Sequence, residues 1–251
     1  MEFQRVSDIK RKEYILTRLS KHVPQGSSVL DFGCGNGIIT NSIARFGFNA
    51  TGIDNSPEAI STASAFFESP NCHFAVLAPY DFKPVADEYQ AIVLSEVLEH
   101  LVAPQQLLQQ LFIALKNDGI LVVTVPNGLG PRELLVTRPV QALTRIKLLR
   151  KFLMRIKQIL GYSGKTIQSD AHDLRHRQFF TVASLERLAS ASGFTIVEWE
   201  KSNFIEQVFP FSLVFNRSQK LQRLDCNIAS KLPLQFTSGF MTVWKKKTVQ
   251  P

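Results

Sequence analysis

The chain has 251 residues, of which 45% are hydrophobic and 20% charged. That is enough chain to bury a core without cross-links, and the balance excludes a disordered tract, a collagen-like repeat and a small disulfide scaffold. The net charge of +8 is confined to one stretch: residues 132–177 hold 11 Lys and Arg against 3 Asp and Glu, while the remainder carries 18 of each sign.

From residue 27 short apolar runs alternate with helical patterns. The runs at 29–33, 50–55, 72–78, 91–96 and 120–126 read as strands, and 38–46, 57–67 and 103–116 as the helices between them. Strand and helix in alternation predict a parallel sheet with helices on both faces. The run Ile120-Leu121-Val122-Val123-Thr124-Val125 has no polar alternation, as expected of a strand covered on both sides. After Asn127 the rhythm breaks, and residues 128–178 read as an insert. The pattern resumes with a helix at 182–191, a stop at Gly193, a strand at 195–200 and a last strand at 240–245. The expected architecture is a single α/β domain spanning 1–251. It is Rossmann-like, with a seven-stranded, mostly parallel sheet and a basic helical insert after the fifth strand.

Cys34, Cys72 and Cys226 are too few, and odd in number, for a disulfide framework, which fits a reducing compartment. No run reaches the roughly 18 to 20 apolar residues of a spanning helix. The most apolar stretch, 204–215, is interrupted by Glu206, Gln207 and Pro210. The N-terminal MEFQRVSDIKRKEY shows no apolar signal core, so the expected location is cytoplasmic.

The most informative segment is Val29-Leu30-Asp31-Phe32-Gly33-Cys34-Gly35-Asn36-Gly37, placed where the first strand turns into a helix. Glycines there let the backbone approach a ligand closely, and the following helix aims its unpaired N–H groups at it. A dinucleotide fingerprint would need a third glycine at position 38 or 40, where Ile38 and Thr40 stand, and no P-loop lysine motif is present.

The spacing G-x-G-x-G, with an acid two residues before the first glycine, resembles motif I of the class I S-adenosylmethionine-dependent methyltransferases. The resemblance continues through Gly52-Ile53-Asp54-Asn55-Ser56, Ser95-Glu96-Val97-Leu98-Glu99-His100-Leu101, Pro126-Asn127 and His176-Arg177-Gln178-Phe179-Phe180-Thr181, the last typical of the ubiquinone-biosynthesis-like branch. It covers roughly residues 20–202. It implies S-adenosylmethionine as cofactor, with Asp31 near the methionine amino group and Gly33, Cys34, Gly35 and Gly37 around the ligand. Asp54 would accept from both ribose hydroxyls, with Asn55 beside it, and Ser95 would lie at the fourth strand's end. The family's adenine-binding acid would fall at Ala78, so Asp81 from the next turn is the candidate substitute.

Glu96, Glu99 and His100 stand at i, i+3 and i+4, and in a helix all three would share a face. Two readings stay open. His100 is a candidate catalytic base toward an acceptor hydroxyl. Alternatively Glu96, Glu99, His100 and His176 hold a divalent metal such as Mg²⁺, as a similar cluster does in small-RNA 3′-end methyltransferases. A capping or ion-pairing role for Glu96 and Glu99 is the structural alternative. His172 reads as a loop residue, and His22 and His73 have no assigned role.

In the insert, Ala142, Ile146, Leu149, Leu153, Ile156 and Leu160 recur at helical spacing, with six bases mostly off that stripe. Residues 139–160 therefore read as a lid over the site or as a contact with an anionic membrane surface, and the two are compatible. No RNA-binding module is recognisable. The resemblance implies O-methylation of a small-molecule, sugar or lipid-linked hydroxyl. A non-catalytic S-adenosylmethionine-binding protein and a peripheral membrane module are the alternatives.

Overall fold

The computed structural model describes residues 2–139, 176–208, 211–215 and 217–247. One seven-stranded sheet organises them: β1 (Ser28–Phe32), β2 (Asn49–Asp54), β3 (Cys72–Val76), β4 (Tyr89–Ser95), β5 (Leu115–Pro126), β6 (Phe194–Lys201) and β7 (Gly239–Lys246), in the order β3-β2-β1-β4-β5-β7-β6. The first five pair in parallel, and β7 runs antiparallel between β5 and β6. The chain winds outward from β1 to β3, then returns to place β4 on the other side of β1. That reversal opens a crevice beyond the carboxyl ends of β1 and β4, where open α/β sheets bind ligands.

Alternation along the strands builds two cores. Leu30, Ile92, Leu94, Leu121 and Val123 point to one face, packed by α4 (Pro104–Ala114) and α5 (Val182–Ala191). Val29, Ala91, Val93, Ile120 and Val122 point to the other, packed by α1 (Val6–His22) and α2 (Ile38–Arg45). α3 (Pro57–Phe67) starts where Ser56 Oγ accepts the Ala59 amide at 3.2 Å, with Pro57 at its first position. α5 starts at a reciprocal capping box between Thr181 and Ser184.

The expected seven-stranded, mostly parallel sheet is present. β5 begins at Leu115 instead of residue 120, and α4 accordingly ends at Ala114, because Leu115 pairs with Tyr89 before a register shift. Two long helices were not anticipated: α1, and α7 (Gln219–Lys231), which follows the short α6 (Ser212–Phe215). Of the insert 128–178, residues 128–139 and 176–178 are described. Most of the basic stripe at 139–160 lies outside the described residues. Among the described residues no helix is long and apolar enough to cross a membrane.

Behind the sheet edge, Asp225 of α7 is buried, and its oxygens accept the amides of Phe204 (2.8 Å) and Ile205 (2.9 Å), fixing the chain after β6. Neighbouring Glu206 is also buried, and both of its carboxylate oxygens lack a hydrogen-bond partner among the described residues. Burial, with the Asp225 charge adding to it against the opposing pull of Ser7, raises its pKa above the ordinary carboxylate value. A raised acid keeps its proton in the native state, so its ionisation works against folding as pH climbs past that ordinary value. The isosteric Glu206→Gln is expected to stabilise the protein at neutral pH by on the order of 1 kcal/mol, with a gain that shrinks toward acid pH. Urea denaturation at several pH values checks this, and a Gln variant less stable at neutral pH would show that the carboxylate is paired.

Candidate functional site

The glycine loop occupies the crevice. Gly33, Gly35 and Gly37 take φ values of +78°, +52° and +76°, in the left-handed region that only glycine enters cheaply. The Gly33 and Cys34 amides both donate to the Ile53 carbonyl, at 2.7 and 3.0 Å, which folds the loop back over the end of β2. A Cβ on Gly37 would lie 2.7 Å from the Phe74 ring and 2.8 Å from Ala63. The loop is therefore held tightly against β3 and α3, and α2 starts from it.

Two acids flank the loop. Asp31, on β1, is 1% exposed and accepts the Thr40 hydroxyl at 2.6 Å. Burial pushes its carboxyl up to about 7, with the Asp54 charge adding to the rise against the Thr40 hydrogen bond. Asp54, ending β2, accepts the Gly35 amide on Oδ2 and the Ser56 amide on Oδ1, both at 2.9 Å. Each oxygen has taken one backbone donor and keeps a second lone pair. Cys34 is half-buried, and burial raises its thiol strongly. Asn55 is exposed beside Asp54, and Ser95 is buried at the end of β4 with Oγ 3.4 Å from Thr124 Oγ1. Asp81 is exposed in the turn after β3, its amide donating to the Ala78 carbonyl at 3.0 Å.

The block after β4 departs from the expected helix. Glu96 has φ +60°, and only Leu98–His100 form a 3-10 turn, so Glu96 does not share a face with Glu99 and His100. Glu96 Oε1 instead accepts the Thr124 hydroxyl at 3.0 Å and lies 3.7 Å from Arg11 of α1. A non-glycine residue at positive φ is uncommon and is frequently found at functional sites.

Glu99, His100 and His176 do come together. Each offers a ligand atom, and these atoms all lie within 4.8 Å of one another. Glu99 is 1% exposed, and its Oε2 is buried without a hydrogen-bond partner among the described residues. Burial, then the Glu96 charge, holds its carboxyl well above the usual range, against the opposing pull of Arg11 and Arg132. Its carbonyl accepts the amides of Arg177 (2.7 Å) and Gln178 (3.0 Å), which delivers the His176 segment to the cluster. The two imidazole rings meet edge to face with centroids 5.2 Å apart.

Two further buried residues complete the neighbourhood, Asn127 of the Pro126-Asn127 pair and Glu133, which no motif announced. Asn127 donates to the carbonyls of Gln235 (2.8 Å) and Thr237 (2.7 Å) and accepts the Leu129 amide, so it ties the end of β5 to the start of β7. Glu133 lies beside His176, 3.2 Å from Nδ1. A carboxylate isolated in a basic segment carries no local signal that it faces a histidine 43 positions later.

A glycine turn at a sheet switch point, an acid at each of two strand ends and an acid–histidine cluster at the third define the fold of a class I S-adenosylmethionine-dependent methyltransferase. A family model described as a methyltransferase domain matches residues 8–199, and the chain belongs to that family. It is 28% identical over 179 residues to the ubiquinone biosynthesis O-methyltransferase of Psychrobacter arcticus, covering 68% of this chain and 60% of that protein. It is 31% identical over 121 residues to the enzyme of the same name from Rickettsia akari, covering 47% and 48%. The chain thus matches about half to three-fifths of the length of these curated relatives. Among solved structures, an S-adenosylmethionine-dependent methyltransferase from Mesorhizobium loti superposes with a TM-score of 0.59 at 16% identity, over 96% of this chain and 100% of that one. The magnesium protoporphyrin IX methyltransferase of Synechocystis, solved with bound SAH, gives 0.57 at 13% identity, over 96% and 84%.

The Asp31 environment has a measurable signature. An acid raised from 3.8 to about 7 keeps its proton in the folded state while the unfolded chain loses it. Stability is therefore greatest below the lower value and falls until the upper one is passed, by on the order of 4 kcal/mol. Asp31→Asn, whose amide oxygen still accepts from Thr40, is expected to flatten that fall. Denaturation midpoints from about pH 4 to about pH 8 check it, and an unchanged slope in the variant would place the dependence elsewhere.

Proposed function

We propose that this chain binds S-adenosylmethionine in the glycine-loop crevice and transfers its methyl group to the hydroxyl oxygen of a small or lipid-linked acceptor. The observation that carries the reading is the disposition of Asp54: each carboxylate oxygen is anchored by one backbone amide and retains a lone pair, an arrangement suited to the two hydroxyls of a ribose. Asp31 lies on the same side and is poised to lose its proton when an ammonium group arrives. The glycine amides and the start of α2 line the space between. Asp81 and Asn55 are assigned to the adenosine end, and Ser95 to the junction with the acceptor.

The sulfonium supplies the reactive methyl, and the transfer is an in-line displacement in which the acceptor oxygen forms a bond to carbon as the carbon–sulfur bond breaks. The protein's task is to align the two atoms and to take the hydroxyl proton. His100 is the residue assigned to that proton. Its ring is partly exposed, next to Glu99 and edge-on to His176, at the end of the strand adjoining the cofactor loop. The names of the relatives support oxygen as the acceptor atom.

A second reading is favoured by the close approach of Glu99, His100 and His176 and by the unpartnered Glu99 oxygen. These three residues would hold a divalent cation such as Mg²⁺, which would lower the pKa of a coordinated hydroxyl. Two imidazoles and one carboxylate suit a harder divalent ion less than zinc or iron, but one or two waters would complete either set. Glu96 stays outside this group, engaged with Thr124 and Arg11. The insert around residues 139–160 is assigned to covering the acceptor, where its bases would also meet an anionic lipid surface.

Calorimetric titration with S-adenosylmethionine and, separately, NAD tests the cofactor. Only the first is expected to bind, and Asp54→Ala is expected to weaken it at least tenfold, about 1.4 kcal/mol. Binding of NAD, or an Asp54→Ala variant with full affinity, would overturn the reading. For the acceptor side, His100→Gln is expected to lower kcat roughly 100-fold or more with cofactor affinity unchanged. Wild-type turnover indifferent to a chelator would remove the metal reading.

A further inference from the structure

α6 turns its apolar side chains toward the surface. Phe211, just before it, and Leu213 and Val214 within it are 45%, 54% and 55% exposed. On α7, Leu224 and Ile228 stand four residues apart on one exposed face. A single exposed apolar residue is ordinary, but this group sits on two helices in mutual contact and serves no core. The exposed charges beside it are all of one sign. Between 211 and 231 the bases Arg217, Lys220, Arg223 and Lys231 are exposed, and the one acid, Asp225, is buried.

A cavity of about 500 Å³ adjoins this group, lined by Gln4 and Arg5 ahead of α1 and by Arg217, Ser218, Gln219 and Gln222 around the start of α7. Gln222 ties its walls together: its side-chain oxygen accepts the Val6 amide at 2.9 Å, and its Nε2 donates to the Phe215 carbonyl at 3.2 Å. Gln219 Nε2 donates to the Gln4 carbonyl at 3.2 Å. The start of α1, the end of α6 and the start of α7 are thereby fixed around two guanidinium groups, and no carboxylate lines the space. Arginine forks match the oxygens of a phosphate. Ser218 gives α7 no side-chain cap, and the positive end of that 13-residue helix forms part of the same wall.

We propose that α6, the outward side of α7 and the cavity of Arg5 and Arg217 dock the protein on an anionic phospholipid bilayer. Phe211, Leu213 and Val214 enter the interface, and a lipid phosphate takes the cavity. A bilayer meets both properties of the surface at once, with apolar side chains at the acyl boundary and bases among the headgroups. A nucleic acid or a free phosphate would satisfy the bases and leave the apolar side chains in water. The surface shares no residue with the basic stretch at 139–160. It lies toward the carboxyl ends of the strands: α1 starts there at Val6, and Arg11, about 7.5 Å further along the helix, is 3.7 Å from Glu96 just after β4. Docking would thus bring the site to a lipid-linked acceptor. That use rests on the methyl-transfer reading given above, whereas the docking itself does not.

The test is flotation of the full chain with phosphatidylcholine vesicles, with and without about one third phosphatidylglycerol. The wild type is expected to float with the anionic vesicles only, and salt to weaken that binding. Leu213→Ser with Val214→Ser, and separately Arg217→Glu with Lys220→Glu, are each expected to lower the partition coefficient at least about tenfold. All four residues are exposed, so both variants are expected to keep the wild-type circular dichroism spectrum and melting midpoint. A wild type that stays in the buffer, or binding that survives both pairs of substitutions, overturns the proposal. So does binding lost only with Arg150→Glu, Lys151→Glu and Arg155→Glu, which would move the contact to the other basic stretch. Self-association without vesicles that Leu213→Ser with Val214→Ser abolishes would make the face a protein interface and equally overturn it. Inorganic phosphate that binds at Arg217 without any flotation would assign the cavity to a free anion, with the same result. Flotation needs neither cofactor nor acceptor, so it stands or falls separately from methyl transfer.

Discussion

The carbonyl of Ile53 accepts two amides, those of Gly33 and Cys34, and the cofactor end of the molecule depends on that double contact. It bends the chain leaving β1 across the mouth of β2, which brings the Gly35 amide onto Asp54 and anchors one of its carboxylate oxygens. The bend needs positive φ at three positions within five residues, and glycine occupies all three. A hydrogen bond of this kind contributes only about 1 kcal/mol net. Its importance is geometric, because it converts two strand ends into one concave surface. The same strand pair supplies the register that sets Asp31 and Asp54 at a fixed separation, since β1 and β2 pair in parallel from Ser28 with Asn49 to Phe32 with Ile53.

The Glu99–His100–His176 region is built on a different principle. Three separate pieces of chain meet there: the turn after β4, the π-turn after β5 and the segment before α5. They are held by backbone contacts, through the Glu99 carbonyl to Arg177 and Gln178, and through Gly128 to Phe180. Their side chains form a mostly buried group of two carboxylates and two imidazoles. Each carboxylate, Glu99 and Glu133, keeps one buried oxygen without a hydrogen-bond partner among the described residues. Unsatisfied acceptors of this sort are costly, and two of them stand close together here.

The sheet was legible because doubly covered strands are uninterrupted apolar runs, and the glycine loop because steric demand writes itself into residue type. α1 and α7 were harder. In α7 Leu221, Leu224 and Ile228 recur at helical spacing, but Leu224 and Ile228 are exposed and the inward face carries Gln222, Asp225 and Cys226, so the buried face does not follow the apolar pattern. β5 gains its first residues by pairing Leu115 with Tyr89, across exposed polar positions that resemble a turn. Glu99, His100 and His176 were recognisable as a set. The different placing of Glu96, at positive φ with its carboxylate on Thr124 and near Arg11, was not, because those contacts come from distant parts of the chain. Glu133 has no local pattern at all. Its partner is fixed by tertiary contact alone.

The pinning of Asn127 and Gly128 gives the molecule a modular design. Asn127 is saturated by the start of β7, and Gly128 by the chain entering α5. The described chain on either side of residues 140–175 is therefore held at anchor points that do not include the glycine loop. The strand ends holding Asp31 and Asp54 do not depend on those anchors for their geometry. Sequence change between the anchors and sequence change around the glycine loop are thereby under separate constraint.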